Sequence, residues 1–294
     1  MDPAAVDAGL RRLARAEQPP WLHAEVARRM AERLALIRLK PALLLDWWGH
    51  GGASAALLQQ AHPQARRVVV EPTPALLARS LQATRAPWWS ARRWAGGGGP
   101  ADAQLEAAPL PPAAQMVWAN MMLHAVADPP ALFARWHHAL DVDGFVMFSC
   151  LGPGTLRELR TLYQRLGWGV PTQSFIDMHD LGDMLVHAGF ADPVMDQEVL
   201  SLRWSSPQAL LDELRTLGGN AAPGRTAGLR TPRWRERLLA ELERLRGADG
   251  KVALSVEVAY GHAFKAAPRA QLAEATTVTL DEMRAMVRSG RRAD

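Results

Sequence analysis

Two carboxylates each close a short apolar run: Asp46 follows Ala42-Leu43-Leu44-Leu45, and Glu71 follows Val68-Val69-Val70. Between them lies the turn Trp47-Trp48-Gly49-His50-Gly51-Gly52. Glycines at a strand-to-helix turn let the backbone approach a ligand, and the N-terminus of the helix that follows favours anionic or hydroxyl-rich groups. An acid ending the neighbouring strand can accept the hydroxyls of a ribose. These types in this order suit a nucleotide-like cofactor. Counted from Asp46, an acid-x-Gly-x-Gly-x-Gly turn wants glycine at 48, 50 and 52, where the chain has Trp48, His50 and Gly52. A one-residue insertion after Asp46 brings Gly49 and Gly51 into the first two places. The plainer alternative is a glycine turn that only joins a strand to a helix.

A second group could position an anion. Gly152-Pro153-Gly154-Thr155, followed by Arg157 and Arg160, combines a helix start, with Thr155 or Gly154 near the N-cap, with guanidinium groups. An ordinary helix start with solvated arginines has the same pattern. His124, just past the apolar segment Met116 to Asn120, faces either an acceptor or a structural hydrogen bond. Asp177 and His179 fit an N-capped helix with a solvated histidine better than a site edge. No nucleophile–base pair stands out. His137 and His138, adjacent on a helix, diverge by about 100°, and His124 and His179 have no partner at ligand spacing, so no metal site is expected.

The elements that must carry these residues alternate. Leu43 to Leu45 and Val68 to Val70 are short continuous apolar runs, as expected of strands buried on both faces. Ala53 to Ala61 and Pro74 to Arg85 read as helices, Pro87 to Trp94 as a third strand, and Gly96 to Gly99 as a loop that continues past Asp102. Met116 to Asn120 and Phe145 to Cys150 read as further strands around a helix from Pro129 to Leu140. This alternation predicts an α/β fold with a doubly wound, mostly parallel sheet. Upstream, residues 1–18 suggest a short polar helix and Trp21 to Arg38 an amphipathic one. Downstream, a strand from Val194 to Leu202 and a closing strand from Val252 to Phe264 flank helices near Pro207 to Leu217 and Pro232 to Arg246. The division expected is a helical lid over 1–40, a catalytic domain over 41–264, and a tail over 265–294 with a possible helix from Leu280 to Arg288.

Composition narrows the function classes. With 294 residues and 48% hydrophobic content the chain can bury a full core. Only Lys40, Lys251 and Lys265 are lysines among 34 basic residues, and the net charge of +4 is too modest for a nucleic-acid binder while leaving room for an acidic protein partner. The single cysteine, Cys150, excludes an internal disulfide and sits at a strand end expected to be buried. No apolar run approaches the ~20 residues of a membrane span. A cytoplasmic monomer is expected.

The chain resembles the class I S-adenosylmethionine-dependent methyltransferases through Asp46 to Gly52, Glu71 and Val117-Trp118-Ala119-Asn120-Met121-Met122-Leu123-His124. It is more closely similar to the biotin-pathway malonyl-carrier-protein O-methyltransferase family. That likeness rests on Phe148 to Arg160, on Asp177-Met178-His179-Asp180-Leu181-Gly182-Asp183, on Ala188 to Val194 and on Glu257 to Ala263. The resemblance implies a seven-stranded sheet with S-adenosylmethionine above the carboxyl ends of the first strands. It also implies methyl transfer to the free carboxyl of a malonyl thioester on acyl carrier protein. Carried over by position, Asp46, Gly49, Gly51 and Gly52 line the methionine end, Glu71 holds the ribose, Asp102 meets the adenine amine, and Asn120 sits beside the cofactor. His124, Thr155 and Arg157 stand on the acceptor side, with Arg157 and Arg160 available to dock the carrier. Trp47-Trp48 either faces the sulfonium or fills the cofactor space. A relative that keeps the fold without binding cofactor, acting as a binding or regulatory module, and a methyltransferase for another small carboxylate are the alternatives.

Overall fold

In the computed structural model, which describes residues 1–84, 102–226, 228, 230–267 and 284, the run closed by Asp46 lies at the middle of a seven-stranded sheet. The strands are β1 (Leu43–Trp47), β2 (Arg66–Glu71), β3 (Asp102–Leu105), β4 (Ala114–Ala119), β5 (Leu140–Leu151), β6 (Ala191–Trp204) and β7 (Val252–Phe264). Their order is β3-β2-β1-β4-β5-β7-β6. The first five run parallel, with Leu45 paired to both Val68 and Val117, whereas β7 is antiparallel to β5 and to β6. This is the doubly wound, mostly parallel arrangement expected from the alternation of strands and helices.

The helices are α1 (Pro3–Arg15), α2 (Trp21–Leu34), the single turn α3 (Gly49–Gly52), α4 (Ala55–Ala61), α5 (Pro74–Thr84), α6 (Pro129–Ala139), α7 (Arg157–Leu166), α8 (Met178–His187), α9 (Pro207–Thr216) and α10 (Pro232–Glu243). Side chains alternate across β1 and its neighbours, so each face of the sheet has its own core. On one face Trp47 meets Trp136 edge to face at 5.8 Å, packed with Phe133, Phe148 and the α8 residues Leu181 and Leu185. On the other, Leu22, Val26 and Met30 of α2 cover Trp118, Phe145 and Tyr260. A smaller cluster joins α7, α9 and α10 to β7 through Leu159, Leu210, Leu238, Leu242 and Leu254.

Two expectations change. The expected third strand at 87–94, the loop at 96–99 and, apart from residue 284, the tail helix at 280–288 lie outside the described residues. The strand that pairs with β2 is Asp102–Leu105, in register Val68 to Asp102, where the sequence suggested a loop. As an edge strand with no fully buried residue it needs no continuous apolar run.

The helix after Gly152 begins later than expected. Leu156, in the left-handed region at φ 54°, precedes it, and Thr155 is not its cap. Residues 152–156 run along β7 instead: Gly152 N–H donates to Glu257 O and Leu156 N–H to Ser255 O, at 2.9 and 2.7 Å. The Thr155 hydroxyl donates to Glu257 O at 3.0 Å and accepts from Glu257 N–H at 3.1 Å. Backbone groups left open by β7 have captured the side chain that would otherwise cap the helix.

Candidate functional site

The parallel strands end on one side, and their carboxyl ends carry the two acids. Asp46 and Glu71 are both fully buried. Neither oxygen of Asp46 has a hydrogen-bond partner, and Arg67 stands 3.7 Å away. Burial outweighs that guanidinium and lifts the Asp46 carboxyl to about 6. Glu71 Oε1 accepts from the Ser80 hydroxyl at 2.6 Å and from the His50 backbone N–H at 2.8 Å, while Oε2 has no partner. Burial, only partly offset by those two donors, pushes Glu71 up to about 7.

The turn between the acids folds as α3. A Cβ at Gly49 would come 2.6 Å from Asp46 Oδ2, so only glycine lets the backbone lie against that carboxylate. Gly51 is covered by Leu13 of α1, whose Cδ2 would stand 2.7 Å from a Cβ there. Further along, Arg79 of α5 holds the end of the same helix, donating to Ala16 O at 2.7 Å. Asn120, at the end of β4, donates to His23 O at 2.8 Å and to Gly52 O at 2.6 Å and accepts from the Ser149 hydroxyl at 2.7 Å. It ties β4, β5, α2 and α3 together.

Trp48 decides the shape of this place. It adopts φ 54°, a left-handed conformation that costs a bulky residue roughly 1–2 kcal/mol. Its N–H donates to Val70 O at 2.7 Å, and its indole Nε1–H reaches Glu106 Oε2 at 3.1 Å. Glu106 follows β3, so the indole spans from the end of β1 to the end of β3 and crosses the carboxyl end of β2, where Glu71 stands. The place where a nucleoside would bind between Asp46 and Glu71 is thus taken by the chain's own Trp48, the His50 amide and Leu13. In this arrangement the residues do not fit a bound nucleoside.

Asp102 is not brought to this place. It opens β3 at the amino end of the sheet, is exposed, and pairs with Arg66 at 2.5 Å. In a parallel sheet an acid at a strand's start lies at the opposite edge from the acids that close β1 and β2. Glu106 is the acid at the carboxyl end of β3. Its position directly after a strand was the signal that could have found it, and the polar edge strand hid that signal.

Beside Trp48 opens a cavity of about 630 Å³. His23, Trp48, Met121, His124, Thr155, Leu156, Thr172, Gln173 and Phe175 are among the residues that line it. Arg215, Arg230 and Arg235 of the α9–α10 region also line it, and among the described residues no carboxylate does. His124 Nδ1 accepts a long bond from Leu151 N–H, 3.5 Å, which leaves the proton on Nε2. Gln173 donates to His124 O and holds the backbone there. Burial first, and His23 second, hold His124 down at about 3. His23, whose Nδ1–H donates to Gly51 O at 2.8 Å, is pushed by burial to about 4. Both imidazoles are neutral at physiological pH, and since His23 gives its one N–H to Gly51 O, only the His124 Nε2–H is left to donate. Neither His23 nor Gln173 carried a sequence signal; His23 sits in α2 as an ordinary helix residue.

Thr155 and His124 therefore meet at the cavity, but Arg157 does not. It is exposed and turned to Glu158 at 3.2 Å, and Arg160 donates to Pro153 O. Asp177 caps α8 through His179 N–H at 2.8 Å and leaves His179 exposed. Tyr260 is a core residue whose hydroxyl donates to Glu198. Cys150 is buried and pushed up to about 12, which leaves it an inert thiol. Among the described residues no group of acids, histidines and cysteine could hold a metal ion, and no helix is long and apolar enough to cross a membrane.

Comparison with known proteins extends this picture. No family model matches the sequence. The chain is 40% identical over 252 residues to a malonyl-[acyl-carrier protein] O-methyltransferase of Gallionella capsiferriformans, covering 84% of this chain and 85% of the relative. It is 39% identical over 251 residues to that of Laribacter hongkongensis, covering 84% of each. Among solved structures, the YcgJ protein from Bacillus subtilis superposes with a TM-score of 0.54 at 11% identity, over 82% of this chain and 99% of that one. The last likeness shows the fold alone.

Proposed function

The chain belongs to the malonyl-[acyl-carrier protein] O-methyltransferase family, and on that premise we propose that it methylates the free carboxyl of a malonyl thioester carried on an acyl carrier protein. The observation that supports this acceptor is the cavity beside Trp48, with the neutral His124 imidazole as a donor and mostly apolar walls. A carboxyl group with a pKa near 4 is already ionised at neutral pH, so no base is required. What the reaction needs is alignment and removal of water, and an apolar cavity supplies the second. In this reading His124 Nε2–H donates to one carboxylate oxygen. Thr155, locked to β7, fixes the loop that forms one wall. Arg157 and Arg160, outside the cavity, serve only to draw in the acidic carrier.

S-adenosylmethionine is the methyl donor that this reading requires. It would stand over Asp46, Glu71 and Asn120, with Glu106 at the far end. In this structure Trp48 and Leu13 occupy that place. Helices α1 and α2 act here as a lid over the sheet, and Leu13 has to leave Gly51 before a nucleoside reaches Glu71.

The same filled cradle supports a second reading, a relative that keeps the carrier-binding cavity without using a cofactor. One experiment separates them. The chain is titrated with S-adenosylhomocysteine in a calorimeter and assayed for methyl transfer to malonyl-carrier protein. Heat of binding together with a methyl ester on the malonyl group supports the enzyme; no heat at millimolar ligand and no ester overturns it. Growth of a biotin-requiring strain on expression of the chain distinguishes malonyl from another small carboxylate.

A further inference from the structure

Three arginines of the α9–α10 region line the cavity, and two of them have no carboxylate partner among the described residues. Arg215 has Asp212 at 3.6 Å. Arg230 donates to Trp168 O at 3.1 Å and to the Thr226 hydroxyl, and its guanidinium lies 4.7 Å from the centre of the Trp234 ring. Arg235 donates to the Gln208 side-chain oxygen. Among the described residues neither Arg230 nor Arg235 forms an ion pair. Neutral partners and an aromatic face hold Arg230 in place, so little side-chain entropy remains to be lost on binding. All three arginines are exposed. The same cavity has apolar residues on its walls, among them Leu156, Leu159, Leu238 and Val256.

A cationic rim opening onto an apolar passage matches a ligand with one permanent anion at the head of a neutral arm. The carboxyl to be methylated is not that anion, because it must reach the buried donor His124. A group fixed at the far end of the arm is needed. We propose that Arg230 and Arg235, with Arg215 beside them, form a seat for the phosphate that heads the pantetheine arm of the acyl carrier. The proposal rests on the carrier reading above. It adds the residues that measure the arm, with the phosphate held at the rim and the thioester end extending toward His124. Arginine suits the task because its planar fork can present two N–H groups to two phosphate oxygens. A carrier-bound arm and a free coenzyme A thioester share this chemistry, and the experiment separates them.

The test compares binding of 4′-phosphopantetheine and dephosphorylated pantetheine to the full chain by calorimetry, which needs no methyl transfer. The wild type is expected to bind the phosphorylated arm about 10-fold tighter. In the double variant Arg230→Ala with Arg235→Ala the ratio falls to about one with pantetheine affinity unchanged, and the Arg→Lys pair restores part of it. Arg203→Ala, which removes a pairing with Asp249 elsewhere, leaves the ratio intact. A wild-type ratio near one, no binding of either compound, or equal losses for both compounds in the double variant overturns the seat. The double variant is also expected to raise KM for malonyl-carrier protein about 10-fold at unchanged kcat. The same loss with malonyl-coenzyme A shows that the phosphate suffices, and a loss confined to the carrier assigns the arginines to the carrier's surface and overturns the proposal. If methyl transfer itself is absent, the binding ratio still decides the seat.

Discussion

The backbone N–H of His50 donates to Glu71 Oε1 at 2.8 Å, and this bond occupies with the protein's own main chain the carboxylate oxygen that a ribose would need. The acid and the turn that would together grip a nucleoside grip each other. Glu71 is left with a second oxygen that is buried and unpaired.

A stability profile should report that strain. Glu71 lies near 4.5 in its ordinary state and about 7 in the fold, and Asp46 moves the same way, from 3.8 to about 6. The folded state therefore binds more protons than the unfolded state across that window. The stabilising contribution is fully present below pH 4.5 and is lost as pH rises through 7, on the order of 3 kcal/mol for Glu71 alone. Urea midpoints measured from pH 4.5 to 8 should fall for the wild type. Glu71→Gln, which keeps an acceptor for His50 and Ser80, should flatten most of the decline and be the more stable protein at pH 8. An unchanged slope would show that Glu71 is not the group responsible.

Opening the cradle should cost packing and yield affinity. Trp48→Gly relieves a left-handed backbone worth roughly 1–2 kcal/mol but removes a buried indole whose loss costs roughly 3–5 kcal/mol. A net destabilisation of about 2 kcal/mol is expected by denaturant unfolding. The same variant combined with Leu13→Ala should bind S-adenosylhomocysteine at least about 10-fold tighter than the wild type, read by calorimetry. Affinity that does not rise in the double variant would mean that Trp48 and Leu13 are not what excludes the nucleoside.

In the role proposed for it His124 is a neutral donor, so the rate of methyl transfer should show no inflection from it between about pH 5 and 9. Its imidazole is held near 3. His124→Phe removes the donor and should lower kcat about 100-fold, whereas His124→Gln, which retains an N–H, should keep most of it. Equal losses in the two variants would assign His124 to packing against Phe175, which it meets edge to face at 6.3 Å.

Asn120 joins four elements through three buried hydrogen bonds. Asn120→Ala removes three buried bonds, at roughly 0.5–1.5 kcal/mol each, because Gly52 O keeps the Ser54 hydroxyl at 3.0 Å and Ser149 Oγ keeps the Met121 N–H at 3.1 Å. A thermal midpoint lowered by many degrees is expected, and hydrogen exchange of the Gly49–Gly52 amides should speed up. Unchanged exchange there would show that Asn120 does not hold the turn.

Much of the architecture was legible because it depends on local pattern. The apolar runs at Leu43 to Leu45 and Val68 to Val70 read as buried strands since a parallel strand is covered on both faces. Asp177 read as a helix cap from residue type and position alone. Asp102–Leu105 did not read as a strand, because an edge strand can be short and polar, and with it went the acid at the right end of β3, Glu106. Thr155 looked like a cap until β7 offered its open backbone groups.

By itself the sequence determined the order of strands and helices, the acids that close β1 and β2, and the replacement of turn glycines by Trp48 and His50, since these follow from residue type and period. Only the tertiary structure decided that the indole of Trp48 spans to Glu106, that Leu13 covers Gly51, and that Arg215, Arg230 and Arg235 line one cavity with His124. Those relations join residues far apart in the chain, and the direction of a side chain in a packed interior is set by what surrounds it, which no local pattern records.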